Sequence, residues 1–203
     1  MKILLTAFEP FGENSINASE EAMKLVRAPE GTELVRTVLP VTYARAGQMI
    51  EELILRENPD AVLCTGEAGG RVKITVERIA VNVCDSVHPD NAGVILEDTP
   101  VKEDGPAAYF ATLPVKSIIK AMDAEGIPVS ISDSAGTYLC NNVMYCALHA
   151  CANSASPVPA GFIHVPAAPG EYLNRPELPR MPSGTAAAGI ETALRVIAEN
   201  TGK

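Results

Sequence analysis

Short β-branched runs alternate with helix-patterned stretches along the 203-residue chain, and this alternation constrains its fold more than any other feature. A chain that keeps switching between a period of two and a period of 3.6 points to an α/β domain whose strands are covered on both faces. Strands are expected at 2–6, 34–39, 61–65, 74–84, 129–132 and 161–165, and helices at 19–27, 43–56, 116–125, 141–152 and 184–199. The second helix stops before Asn58-Pro59, because a proline disfavours the helical conformation of the residue before it. Ser183 is a plausible N-cap for the last helix. Residues 66–71 read as a glycine-rich turn. The polar, turn-rich stretch 85–105 reads as a long loop serving a site or an interface, and the proline-rich stretch 166–183 as an irregular surface loop. Strand order is not legible from one sequence, and an antiparallel member is allowed.

Size and charge narrow the functional classes. Surface scaling gives roughly 9,100 Å² folded against roughly 31,000 Å² unfolded, enough burial for one ordinary core without disulfide staples. One domain over residues 1–203 is expected. Sixteen Lys and Arg against 25 Asp and Glu give a net charge of −9, which leaves no basic field for a nucleic-acid backbone. The opening MKILLTAFEPFG meets Glu9 and Pro10 before its apolar run is long enough for an export signal or a membrane span, so a cytoplasmic protein is expected. In that reducing compartment the five cysteines (64, 84, 140, 146 and 151) act mainly as small apolar residues, with room for one reactive thiol.

Cys140 is the candidate. A strand at 129–132, the turn Asp133-Ser134-Ala135-Gly136-Thr137 and a following helix place it at a helix N-terminus, where free N–H groups and the helix dipole favour a thiolate and can hold an oxyanion. The alternative is a core cysteine continuing the Met144 and Leu148 stripe. A cysteine nucleophile needs a base, and only His88, His149 and His164 exist. His164 ends a predicted strand, where α/β proteins gather catalytic side chains. His149 lies nine positions along the helix from Cys140, roughly 13 Å away, and His88 lies in the long loop. Glu77 shares parity with Ile79, Val81 and Val83, so the alternation that buries them points a carboxylate inward, where it needs a partner. That partner is either a structural arginine or His164, whose imidazolium a carboxylate would orient and stabilise. No cysteine or histidine cluster has zinc-ligand spacing, so no metal is expected.

Three separated segments carry a resemblance. Gly66-Glu67-Ala68-Gly69-Gly70-Arg71 with Ile74-Thr75-Val76-Glu77-Arg78-Ile79-Ala80-Val81-Asn82 resembles the glutamate signature of the pyroglutamyl peptidase I family. Ser132-Asp133-Ser134-Ala135-Gly136-Thr137-Tyr138-Leu139-Cys140-Asn141 is similar to its cysteine signature, and Gly161-Phe162-Ile163-His164-Val165-Pro166 to its histidine segment. Phe8-Glu9-Pro10-Phe11-Gly12, Pro89-Asp90-Asn91 and Gly105-Pro106-Ala107-Ala108-Tyr109-Phe110 also match family segments.

The resemblance implies a three-layer α/β/α sandwich with a mostly parallel, mixed central sheet, and a cysteine peptidase that removes an N-terminal pyroglutamyl residue from peptides. By the same resemblance Cys140 is the nucleophile, His164 the general base and acid, Glu77 the orienting carboxylate, and Phe8 and Phe11 line the ring pocket. It implies no cofactor, and a homotetramer. Several positions depart from the family pattern: Val87 where an arginine is common, Asn142 where a histidine often stands, Glu67 where a neutral residue is frequent, and an altered 167–171 segment. A thiol hydrolase for another small amide or ester would keep Cys140 and His164 with a different pocket. A noncatalytic binding protein on the same fold would most simply have lost a triad member.

Overall fold

The strand that carries Glu77 is shorter than its sequence suggests, and the reason shows how the sheet is built. In the computed structural model, which describes residues 1–154 and 156–201, the 74–84 run divides at Arg78 into β4 (Ile74–Glu77) and β5 (Ile79–Val81). The Arg78 N–H donates to the Ser132 carbonyl at 2.8 Å, and the Arg78 carbonyl accepts from Ala111 N–H at 2.8 Å. The chain therefore leaves the main sheet at this residue and enters a small antiparallel ribbon with β6 (Ala108–Phe110), a strand the sequence pattern did not announce.

Around this break the elements follow one another as β1 (Lys2–Phe8), α1 (Ala18–Leu25), β2 (Glu33–Leu39), α2 (Ala46–Glu57), β3 (Ala61–Glu67), then β4 to β6. They continue as α3 (Val115–Ala124), β7 (Val129–Ser132), α4 (Leu139–Ala152), β8 (Ala160–Val165) and α5 (Ser183–Thr201). The central sheet has the order β2-β1-β3-β8-β4-β7. β2, β1, β3 and β8 run parallel, β4 opposes β8, and β7 follows β4, so the sheet is mixed. On one face α1, α3 and α5 cover Ile3, Leu5, Leu63, Val76 and Ile163; on the other α2 and α4 cover Leu4, Val62, Cys64 and Phe162. The result is an α/β/α sandwich. Both sides of β3 and β8 are buried, which is why these strands read as apolar runs instead of alternating.

Local chemistry sets most boundaries. Asn17 caps α1, its side chain accepting from Ser19 N–H at 3.0 Å, and Lys24 in the last turn pairs with Glu20 and Glu21. α2 begins three residues later than its pattern suggests because the Tyr43 N–H is held by the Asp90 carboxylate at 2.8 Å. It ends at Asn58, in the left-handed conformation (φ 44°), just before Pro59. α5 starts at Ser183 itself, so Ser183 is its first residue and not a cap outside it. Two loop expectations change. Gly66 and Glu67 continue β3 instead of opening a turn, and the 166–182 segment, although irregular, buries Ala167, Ala168, Glu171 and Met181.

Candidate active site

The site lies at the sheet's centre, where β8 meets the oppositely directed β4. Gly66 of β3 pairs with His164 of β8, and Thr75 of β4 pairs with His164 from the other side. Register partners share a face of a sheet, so the position of Gly66 and the side chains of Phe162, His164, Thr75 and Glu77 all face the α2 and α4 layer. His164 Nδ1 and Glu77 Oε1 are 2.8 Å apart, both residues being almost wholly buried. Glu77 Oε1 also accepts from Arg71 at 2.5 Å and from the Thr75 hydroxyl at 3.0 Å. Both partners expected for Glu77, an arginine and His164, are therefore present. Parity with Ile79 and Val81 does not account for its burial, because those residues are half-exposed and lie beyond the Arg78 break. Glu77 is buried because β4 is covered on both faces.

Cys140 is the second residue of α4 and lies over Gly66: a Cβ built on Gly66 would come within 2.9 Å of its sulfur. The absence of a side chain at position 66 is what lets the thiol settle above the strand that neighbours His164. Tyr138, the residue before α4, makes no side-chain cap bond, so first-turn N–H groups of the helix remain available to an anion. His149 sits in the last turn of α4, bonded to the Tyr109 hydroxyl at 3.0 Å, and His88 lies in the 85–105 loop. Neither is grouped with Cys140.

Burial shifts both His164 and Cys140. It pulls the His164 imidazole below its ordinary value, against the raising effect of Glu77. It pushes the Cys140 thiol up to about 12, the Glu67 and Glu77 carboxylates adding to the rise. Glu77 behaves oppositely: burial would raise it, but His164 first, with Ser132 and Arg71 after it, holds its carboxyl below the usual range.

Beside the sulfur is a small cavity lined by Phe8, Phe11, Val41, Glu67 and Tyr138 among others. Phe8 and Phe11 line this cavity together with Cys140. Tyr138 is fixed by donating to the Pro89 carbonyl at 2.9 Å. The 85–105 loop closes over this side through Asp90, whose carboxylate accepts from the backbone N–H groups of Tyr43, Ala92 and Val94, and through Asn91, which donates to Glu9 Oε1 and the Pro10 carbonyl. Val87 is 84% exposed and does not line the cavity, while Asn142 turns toward Gly47 of α2 and Cys84. Arg71 and Tyr138 escaped the sequence reading. Arg71 stood inside a quoted motif, and only its spacing from Thr75 and Glu77 on a bent chain hinted at a role. A larger groove between the end of α1 and α5 is lined by paired surface charges such as Arg27 with Glu191, and holds none of the residues singled out above.

A family model described as pyroglutamyl peptidase matches residues 1–200. The chain belongs to the pyroglutamyl peptidase family. A pyrrolidone-carboxylate peptidase of Thermococcus kodakarensis is 48% identical over 201 residues, covering 98% of this chain and 97% of the relative. Pyrrolidone-carboxylate peptidase 2 of Caldanaerobacter subterraneus subsp. tengcongensis is 45% identical, covering 100% and 99%. A solved structure of pyrrolidone carboxyl peptidase from Pyrococcus furiosus superposes with a TM-score of 0.94 at 39% identity, covering 99% of this chain and 100% of that one. Family membership and the sandwich fold thus agree across the full length.

Proposed function

We propose that the chain is a cysteine peptidase that removes an N-terminal pyroglutamyl residue from peptides, with Cys140, His164 and Glu77 as its triad. The observation that carries this reading is the buried Glu77–His164 bond on the sheet face over which Cys140 lies in the first turn of α4. Because Nδ1 is committed to Glu77, Nε2 is the nitrogen left for proton transfer.

As Cys140 Sγ bonds to the pyroglutamyl carbonyl carbon, His164 takes the thiol proton, and the first-turn N–H groups of α4 stabilise the oxyanion. His164 then gives that proton to the departing amine nitrogen as the C–N bond breaks, leaving a thioester on Cys140. Water attacks the thioester while His164 accepts its proton; the C–S bond breaks, pyroglutamate leaves, and the proton returns to sulfur. Glu77 stays ionised and stabilises the imidazolium in both halves of the cycle. The lactam ring is neutral and compact, so Phe8 and Phe11 suit its methylenes, and specificity rests on shape and amide hydrogen bonds instead of an acidic clamp for a charged amino terminus.

The reading also places the enzyme in the cytoplasm, supported by five free cysteines; no helix among the described residues is long and apolar enough to cross a membrane. We further infer a homotetramer, for which exposed Val87 and Ile95 on the 85–105 loop offer contact surface. The test is an acid quench during turnover of a pyroglutamyl peptide, followed by peptide mapping. A pyroglutamyl group bonded to Cys140 is expected. An acyl group on another residue, or turnover with none, would overturn the assignment of the nucleophile.

A further inference from the structure

Of the three donors that share Glu77 Oε1, one carries a charge that has no step of its own in the cycle. Arg71 lies in the short connection between β3 and β4. There its N–H donates to the Ala68 carbonyl at 3.2 Å, and the preceding Gly70 takes the left-handed conformation at φ 88°, which glycine adopts without strain. The guanidinium returns to β4: Nη1 donates to Glu77 Oε1 at 2.5 Å and to the Thr75 hydroxyl, which itself donates to the same Oε1 at 3.0 Å. Nη2 donates to the Ser134 carbonyl at 3.3 Å, in the turn that leads from β7 to Cys140. One side chain therefore ties the carboxylate of the triad to the segment that precedes the nucleophile. It is 31% exposed while Glu77 is wholly buried, so the charge reaches the carboxylate from the solvent side.

His164 Nδ1 meets the same Oε1 at 2.8 Å. A carboxylate already paired with a guanidinium stabilises a second cation less, and the guanidinium repels that cation directly. We propose that Arg71 is a positioning residue of the peptidase cycle: it holds Glu77 against His164, braces the turn before Cys140, and takes up part of the carboxylate charge that would otherwise go to the imidazolium. The imidazole agrees in direction, for burial lowers it most, Glu77 raises it and Arg71 lowers it again. The other titratable groups facing the pair are Glu67 of β3, which raises the imidazole, and Cys140 of α4. On the adjoining turn Asp133 is exposed and paired with Arg78 at 3.1 Å.

This role rests on the peptidase reading, and its test separates the two. The pH profile of kcat/KM for a chromogenic pyroglutamyl amide is measured in the wild type, Arg71→Met and Arg71→Lys. In Arg71→Met the acid limb is expected to move up by about one pH unit, so that on the limb kcat/KM falls about tenfold further below its plateau than in the wild type. Arg71→Lys keeps a cation beside Glu77 without the second arm for Ser134, and its limb is expected to stay near the wild-type position. A limb unmoved in Arg71→Met, with activity lowered by one factor at every pH, would reduce the residue to a brace for the turn and overturn the proposal. A limb that moves as far in Arg71→Lys as in Arg71→Met would also overturn it. Arg71→Gln removes the charge but keeps a donor, and serves if Arg71→Met does not fold.

If the wild type releases no chromophore at any pH, the peptidase reading fails, and the effect of Arg71 is read from the imidazole itself. The His164 Cε1 proton, assigned by its loss in His164→Gln, is titrated by NMR in the wild type and in Arg71→Met. A midpoint about one pH unit higher in the variant is expected. Equal midpoints would overturn the proposal.

Discussion

Glu77 receives all its donors on one oxygen. His164, Arg71 and Thr75 converge on Oε1 while Oε2 is buried without a partner, so the carboxylate is pinned and fixes the imidazole with Nδ1 toward it. Glu77→Gln can meet Nδ1 with its amide nitrogen and select the wrong tautomer. A fall in kcat of about 10²–10⁴ is expected at pH 7, with the circular dichroism spectrum retained. His164 must be neutral to accept the thiol proton, and burial holds it below its ordinary value. The acid limb of kcat/KM therefore falls below about pH 6.5, and a pH–rate profile bending at or above that value would contradict the buried imidazole. The same depression has a sign in stability. The unfolded chain binds the His164 proton more readily, so the folded form loses ground as pH drops through the ordinary histidine range. The three triad candidates were legible in the sequence because each stood out locally: a cysteine after a strand and turn, a histidine at a strand end, a carboxylate in an apolar run. Arg71 was not, since its role depends on contacts made across the fold.

Gly66 and Asp90 carry the site at the level of elements. A Cβ at Gly66 would stand 2.8 Å from the Phe162 ring and 2.9 Å from the Cys140 sulfur, so Gly66→Ala must push the start of α4 off β3. Steady-state assay is expected to show kcat reduced by about 10²-fold or more with the secondary structure intact, since small displacements of a nucleophile are costly. Asp90 is buried and binds three backbone N–H groups that tie the long loop to the chain before α2. Asp90→Ala leaves those donors without their partner, and about 2–4 kcal/mol of stability is expected to be lost, read as a Tm lower by about 5–10 °C. Sequence legibility at this scale divides by what sets each boundary. β7 lies at 129–132 as its pattern indicated, and α3 is displaced by one residue, because local propensity and flanking turns decide them. The Arg78 break and β6 were illegible, since distant backbone partners at Ser132 and Ala111 impose the break and β6 is only three residues long.

For the molecule as a whole, one sheet serves two cores. Leu63 faces the α1, α3 and α5 layer while Val62 and Cys64 face α2 and α4, so neither layer can be lost without exposing the strands that build the other. Denaturant unfolding is expected to give coincident transitions by far-ultraviolet circular dichroism and tyrosine fluorescence; separated midpoints would show that the layers unfold independently. Gly189 sets the approach of α5 to the sheet: a Cβ there would collide with Ile74 Cδ1, and Gly189→Ala is expected to cost about 1–3 kcal/mol in the same experiment. The central claim joins the whole fold to one reaction, cysteine-dependent release of a lactam residue. Its most direct test is chromophore release from a pyroglutamyl amide and from its prolyl counterpart by the wild type and by Cys140→Ser. Cleavage of the pyroglutamyl amide alone by the wild type, with no turnover by the folded Cys140→Ser protein, is the expected result. Equal cleavage of both amides, or undiminished turnover by Cys140→Ser, would contradict it.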